Sequence, residues 1–287
     1  MLSLVAGHRR LVGVVGTATG VALVGELVLI GLQVLRGTSS HFNSTTPFDT
    51  AVFGVMGALV VVVFLAAVAT AVLLLRQRGL PLALASGVRA GLVLTLLGMS
   101  EAVLMIANHG SNPGGGHTVG APDRGPGLPL LGWSSAHGDL RTAHFVGLHA
   151  LQVLPLVGWA LTRQLGRARS GAGAEAESGG AHDGGVALTL DARVWVVRVV
   201  AAGYAGLVVL LTWQAEAGRP LLHPSTAMVA AAAALAAATL AGVLRARRSG
   251  SKLPAVRGPG REHRRKPVTT AEALVPAPTS ALSKAVR

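Results

Sequence analysis

Long runs of apolar residues alternate along the chain with shorter segments rich in Arg, His, Gly and Pro. A helix needs about 20 apolar residues to cross the roughly 30 Å of hydrocarbon in a bilayer. The runs predict six membrane-spanning helices, at about 11–35, 51–75, 90–107, 144–161, 194–213 and 226–244. Strands of a membrane barrel would alternate between apolar and polar residues instead. The pattern therefore predicts an all-α, polytopic transmembrane helix bundle.

Composition supports the same fold class. Of the 287 residues, 51% are hydrophobic and 13% are charged, whereas a soluble domain carries roughly a quarter charged residues. The chain contains no Cys. Disulfides and thiolate metal sites are therefore excluded, and any metal site would need imidazole, carboxylate, amide or thioether ligands.

The basic residues predict the orientation of the six helices. Cytoplasmic loops of membrane proteins carry an excess of Lys and Arg. With both termini in the cytoplasm, the outer loops are about 36–50, 108–143 and 214–225. Of the 25 basic residues, only Arg36, Arg124, Arg141 and Arg219 then lie outside. We therefore expect the N-terminus and the C-terminus to be cytoplasmic.

Residues 245–287 form a polar, Pro-containing tail in which basic residues far outnumber acidic ones. Such a composition cannot bury enough apolar surface to fold, which predicts a disordered, basic cytoplasmic tail. Its charge favours anionic lipid headgroups as a partner, besides the bilayer itself. Nucleic acid is an unlikely partner because the tail has no aromatic side chain on which bases could stack.

Histidine shows the opposite asymmetry to arginine. On the predicted outer side lie His41, His109, His117, His137, His144, His149 and His223. Two carboxylates, Glu26 and Glu101, also fall inside predicted spans, where burial in lipid is costly. Such residues are therefore candidates for a functional site.

Helical spacing brings further polar residues to the same helix faces. Glu101 and Asn108 are about 20° apart around the third span, and Glu26 and Gln33 have the same seven-residue spacing in the first. In the fourth span, His149 and Gln152 are about 60° apart. If spans one, three and four are neighbours, these residues form one polar cluster in the outer half of the bundle.

We divide the candidate site residues into three groups. Candidate metal or haem ligands are His149, His144, His109 and Glu101. Supporting polar residues are Asn108, Gln152, Glu26 and Gln33. Loop candidates are His41, His117 and His137.

Three chemistries are open to this cluster. Neutral imidazoles and a carboxylate can hold a divalent metal, and imidazoles from two helices can be axial ligands of haem b. The same residues can relay protons or sense pH, because His titrates near neutral pH. The alternative is structural: polar residues in membrane bundles also hydrogen-bond to neighbouring helices.

The first outer loop can also be interpreted either as a ligand site or as a structural segment. In SHFNSTTPFD, His41, Asn43 and Asp49 are of types that ligate metals. A Thr or Asp directly before an apolar run is also a typical helix cap. The simpler prediction is that this segment starts the second span.

The segments GHTVGAPDRGPGLPLLGWSSAHGDLRTAHFVGLHALQ and SHFNSTTPFD resemble bacterial multi-span membrane proteins of about six helices that have no assigned activity. The resemblance implies a multi-pass protein of the bacterial plasma membrane. It implies no catalytic residue. A looser similarity to multi-helix haem proteins rests on the histidines at the membrane edge.

The chain contains no HExxH, GxSxG or phosphate-binding loop pattern, and the sequence leaves open whether it is an enzyme. The favoured function is an integral membrane protein with a His and carboxylate site in the outer half of the bundle, binding a metal or haem for redox chemistry or sensing. One alternative is a transporter or proton-coupled permease that uses Glu26 and Glu101. A second alternative is a non-catalytic membrane scaffold.

Overall fold

The computed structural model describes residues 8–77, 79–109, 114–178 and 188–250. Within these ranges the chain forms six long helices. Their bounds are α1 Arg9–Leu35, α2 Pro47–Arg76, α3 Leu82–Ala107, α4 Arg141–Ser178, α5 Leu190–Glu216 and α6 Thr226–Gly250. Each contains a stretch long and apolar enough to cross a bilayer. The predicted polytopic transmembrane helix bundle is confirmed.

The helices extend beyond most of the predicted span limits. Among the helix starts, the largest difference is at α3, which begins at Leu82, eight residues before the predicted start at residue 90. Pro81 occupies the position before its first turn, where the missing N–H of proline costs no helical hydrogen bond. Arg89 lies inside this helix, although the predicted span began after it.

At its other end, α4 continues to Ser178, beyond the predicted end of the fourth span at residue 161. α6 continues to Gly250, past the predicted start of the tail at residue 245. The remainder of the predicted disordered tail, residues 251–287, lies outside the described residues.

The two ends of the bundle carry different residues. The histidine end carries the loops 36–46, 108–140 and 217–225. The arginine end is the opposite one, where α2 ends and where α3 and α5 begin. α1 packs against α2, and α6 packs against α5. α3, α4 and α5 all contact one another, so these three helices form the centre of the bundle.

Long cationic side chains near the ends of membrane helices usually extend towards the interface, and Arg193 lies in the first turns of α5. It is instead fully buried, and its guanidinium nitrogens have no hydrogen-bond partner among the described residues. Val196 and Val197, one turn further along α5, are buried as well. Arg193 therefore lies on the inward face of the helix.

Glycines allow α3 and α4 to approach very closely. A Cβ atom built on Gly98 would lie 2.5 Å from the carbonyl carbon of Gly147, and one on Gly91 would lie 2.9 Å from the Ala150 oxygen. A Cβ atom on Gly158 would lie 2.5 Å from the Ala83 oxygen. Small residues at such positions let helix backbones touch within a membrane, where dispersion contacts drive association.

The long loop between α3 and α4 folds onto the histidine end. Thr118–Val119 (β1) pairs antiparallel with Gly138–Asp139 (β2). A Cβ atom on Gly138 would overlap the carbonyl oxygen of Ala215 near the end of α5. Only glycine fits there, so this loop is packed down on the helices.

We expect Gly98→Ala to destabilise the protein, because its methyl group has no space between α3 and α4. Overpacking of this kind costs about 1–3 kcal/mol. Thermal unfolding of the detergent-purified protein, followed by circular dichroism, should show a lower melting temperature.

The matched control is Gly31→Ala in α1, where a Cβ atom meets nothing within 4 Å. Alanine is more stable than glycine within a helix by about 0.5–1 kcal/mol. The control should therefore melt at the same temperature as the wild type or higher. Equal losses in both variants would contradict the assigned packing.

Candidate functional site

Four of the predicted site residues line one cavity at the histidine end. They are Glu26 from α1, His41 from the first loop, His117 from the long loop and His144 from α4. We call this space of about 440 Å³ the histidine cavity. Arg141 and Ser100 add further polar groups to its lining.

The remaining lining of the histidine cavity is apolar and comes mainly from two helices. α2 contributes Phe53, Met56, Gly57, Val60, Val61 and Phe64. α3 contributes Met99, Ala102, Val103, Met105 and Ile106. The cavity is therefore amphipathic, with titratable groups from α1, α4 and two loops facing an apolar wall. Binding pockets for small molecules commonly have this composition.

The first loop folds back into the bundle to place His41. Glu26 lies nine residues before the end of α1, or about 13.5 Å along the helix axis. Nevertheless, His41 Nε2 lies 3.9 Å from Glu26 Oε1. Burial lowers the pKa of His41 from its ordinary value of 6.5, and the nearby His117 lowers it further. The fold therefore favours the neutral imidazole at this position.

Phe42 holds the first loop in this position. Its side chain is buried and its ring centroid lies 5.2 Å from that of Phe53 and 4.8 Å from that of His117. Phe42 has a φ of 51°, a left-handed conformation that is unusual for an aromatic residue. The bend turns consecutive side chains, His41 and Phe42, towards the bundle.

His117 is oriented by Asp123 in the same loop. Its Nδ1 lies 3.0 Å from Asp123 Oδ2, and the backbone N–H groups of His117 and Thr118 also donate to that carboxylate. Burial alone would raise the pKa of Asp123, but these hydrogen bonds outweigh it and hold the pKa well below its usual range. The ionised Asp123 accepts a hydrogen bond from the N–H at Nδ1, which leaves Nε2 of a neutral His117 as an acceptor.

His144 is oriented by α3. Its Nδ1 lies 2.7 Å from the carbonyl oxygen of Gly98. A carbonyl can only accept, so Nδ1 carries the hydrogen, and Nε2 of the neutral ring is an acceptor. His117 and His144, both in the cavity lining, therefore each retain an unprotonated nitrogen. Such a site suits a ligand that donates hydrogen bonds.

A second polar network at the histidine end is structural. Buried Asp49 accepts hydrogen bonds from Gln33 Nε2 at 3.0 Å and from Arg36 Nη1 at 2.5 Å. Its backbone N–H donates to Thr46 Oγ1, so Thr46 caps α2 within the segment that was predicted to start this helix. This network fastens the end of α1 to the start of α2. Gln33, a predicted supporting site residue, belongs to it and does not line the histidine cavity.

Two more candidates serve helix and loop packing. Glu101 Oε1 accepts a hydrogen bond from Thr212 Oγ1 of α5 at 2.9 Å, so Glu101 faces α5 and does not line the histidine cavity. Its other oxygen is buried without a partner among the described residues. Asn108 Nδ2 donates to the carbonyl oxygens of Gly116 and Thr118, which fixes the long loop.

The last four candidates lie on the surface: His109, His137, His149 and Gln152. His149 Nδ1 bonds within its own helix to the Phe145 oxygen, and its ring lies 4.1 Å from that of Phe145, centroid to centroid. The single cluster expected from helical spacing is therefore divided. The reason is that α1 packs mainly against α2, so in the described part of the chain it has no extensive contact with α3 or α4 of the kind that the spacing argument required.

Among the residues that the structure describes, no group of three or more His or carboxylate side chains is placed to hold a metal ion. The predicted ligands His149, His144, His109 and Glu101 point to different surroundings. The divalent metal hypothesis therefore finds no group of three such ligands in the described part of the chain, and the haem b hypothesis stays a prediction.

Sequence reasoning missed Phe42, Arg141 and the apolar wall from α2. Arg141 is held by buried Asp139, whose carboxylate accepts from both Nε and Nη2 of the guanidinium, at 2.9 and 2.6 Å. The spacing Asp-x-Arg was visible in the sequence, but its two-residue separation does not show which way the side chains face.

Six apolar helices and an amphipathic cavity define the class of this protein as a multi-pass integral membrane protein. No family model, curated protein or solved structure matches the chain. The resemblance to bacterial multi-span proteins therefore rests on the sequence segments quoted above.

Because the fold lowers the pKa of His41, lowering the pH should destabilise the protein through this residue. At pH values between the folded-state pKa of His41 and 6.5, His41 binds more protons in the unfolded chain than in the folded one. The contribution of His41 is thus complete above pH 6.5 and is lost as the pH falls through the folded-state pKa. Melting temperatures between pH 8 and pH 5 should decline less steeply in His41→Gln than in the wild type.

The control is His137→Gln, which alters an exposed histidine of the neighbouring loop. It should reproduce the wild-type pH profile. A His41→Gln profile as steep as the wild type would show that His41 does not titrate differently in the folded protein.

Proposed function

We propose that this chain is a membrane-embedded binding protein for an amphipathic small molecule, with a sensing or redox role, and that the histidine cavity is its site. One observation carries the proposal: His41, His117, His144 and Glu26 meet an apolar wall within one cavity. We further propose the bacterial plasma membrane as its location. In the orientation predicted by the basic residues, the cavity belongs to the outer half of the bundle.

The polar groups favour a ligand with hydroxyl groups. His117 and His144 present acceptor nitrogens, because Asp123 and the Gly98 carbonyl occupy their other ring nitrogens. Glu26 is a further acceptor. The apolar wall of α2 and α3 suits a hydrocarbon body, so the ligand class is a hydroxyl-bearing, lipid-like molecule.

The test uses decyl hydroquinone, which has two phenolic hydroxyls and a ten-carbon chain, and its dimethyl ether, which has no hydrogen-bond donor. We expect the hydroquinone to raise the melting temperature of the full-length protein in detergent and the ether to have a much smaller effect. Saturating ligand at 100 times its Kd would stabilise the protein by about 2.7 kcal/mol. Equal effects of both compounds would indicate simple partitioning and contradict the proposal.

Two glycines of α2 provide a matched pair of variants. Gly57 lines the cavity and Gly54 does not, and a Cβ atom on either meets nothing within 4 Å. Gly57→Leu should fill the cavity and abolish the hydroquinone effect without a clash. Gly54→Leu should retain it. Retention in both variants would place binding elsewhere.

A second candidate function is proton-coupled transport. It is favoured by Glu101, whose buried Oε2 has no partner in the described residues, because intramembrane carboxylates often mark proton paths. Liposomes containing the protein and a trapped pH-sensitive dye should then acidify more slowly with Glu101→Gln than with the wild type under an imposed proton gradient.

The control for this experiment is Asp191→Asn, which removes an exposed carboxylate in the first turn of α5, at the opposite end of that helix from Thr212. It should behave as the wild type. Identical rates for the wild type, Glu101→Gln and protein-free liposomes would remove transport. If the hydroquinone test were also negative, a non-catalytic scaffold would be the remaining function.

A further inference from the structure

A second cavity opens at the arginine end, between α2, α3 and α5. Its volume is about 400 Å³. We call it the arginine groove. It is lined by Leu75, Ser86, Arg89, Ala90, Val93, Leu94, Arg198 and Ala201. It shares no lining residue with the histidine cavity and is independent of the function proposed above.

The groove carries uncompensated positive charge. No carboxylate lines it, and Arg89 and Arg198 form no ion pair with any described residue. Among the described residues, Arg89 donates one hydrogen bond, a long one of 3.5 Å from Nη2 to the Gln77 oxygen. Both arginines are exposed, so their guanidinium groups are accessible for an anion.

The polar and apolar parts of the groove are ordered along the helix axes. On α3, Ser86 and Arg89 come first from the arginine end, and Val93 and Leu94 lie one turn deeper. On α5, Arg198 comes first and Ala201 follows almost one turn deeper. The groove therefore changes from cationic to apolar in the direction of the bilayer centre.

The arginines lie close enough to the membrane surface for their side chains to reach the phosphate level of a bilayer. Arg89 and Arg198 lie seven and eight residues inside their helices, or about 10–12 Å from the helix starts. A helix of 27 residues such as α5 is about 40 Å long, close to the full thickness of a bilayer with its headgroups. Arginine side chains at this depth extend outwards to the interface.

We propose that the arginine groove binds one anionic phospholipid, with its phosphodiester between Arg89 and Arg198 and an acyl chain along Val93 and Leu94. Charge complementarity selects the anionic headgroup, since guanidinium groups bind phosphate oxygens with paired hydrogen bonds. The apolar floor selects a lipid over a soluble phosphate. Basic pockets between transmembrane helices are known to hold such headgroups.

The test is native mass spectrometry of the full-length protein in detergent with added phosphatidylglycerol or phosphatidylcholine. We expect one phosphatidylglycerol to remain bound to the wild type, and Arg89→Gln/Arg198→Gln to bind it about thirtyfold more weakly, at about a fivefold loss for each basic residue. Arg9→Gln/Arg10→Gln removes the same charge from α1, outside the groove, and should bind as the wild type does.

Val93→Trp keeps both arginines but obstructs the apolar floor, and Val93 is 48% exposed, so the larger side chain has room outside the core. It should also lose the lipid. Equal losses in the two double-arginine variants would overturn the proposal in favour of general charge attraction. Displacement of the lipid by millimolar inorganic phosphate, or equal retention of phosphatidylcholine, would overturn the assignment to an anionic lipid.

Discussion

The close approach of α3 and α4 determines where the histidine cavity can form. In the membrane, helices gain little from excluding water, so backbone contact between small residues is the main source of association. Gly98 and Gly147 meet at the point where the two backbones touch. Because Gly98 has no side chain, His144 can reach its carbonyl oxygen and is thereby oriented.

The loops at the histidine end complete the site by satisfying their own polar groups. Asp49, Asp123 and Asp139 each accept several hydrogen bonds from neighbouring loop residues. Leaving a buried polar group without a hydrogen-bond partner costs free energy, so these carboxylates hold each loop in one conformation. The result is that His41 and His117, far apart in sequence, have ring centroids 6.3 Å apart beside Glu26 of α1.

The two ends of the bundle offer different chemistry. The histidine end presents imidazole rings with acceptor nitrogens above an apolar wall, which suits a neutral, hydroxyl-bearing ligand. The arginine end presents permanently charged guanidinium groups above an apolar floor, which suits an anionic headgroup. One chain thus combines a candidate ligand site with a candidate lipid site on separate sets of residues.

The sequence by itself determined the fold class, the six helices and the segment that starts the second helix, because span length and capping depend on consecutive residues. It also singled out Glu26, His41, His117 and His144 as candidates among others. Only the tertiary structure decided that these four share a cavity, while Glu101 faces Thr212 and His149 lies on the surface. Helical periodicity gives the face on which a residue lies but not the helix that the face meets. Here α1 packs against α2, and the loops fold inwards through contacts between residues distant in sequence.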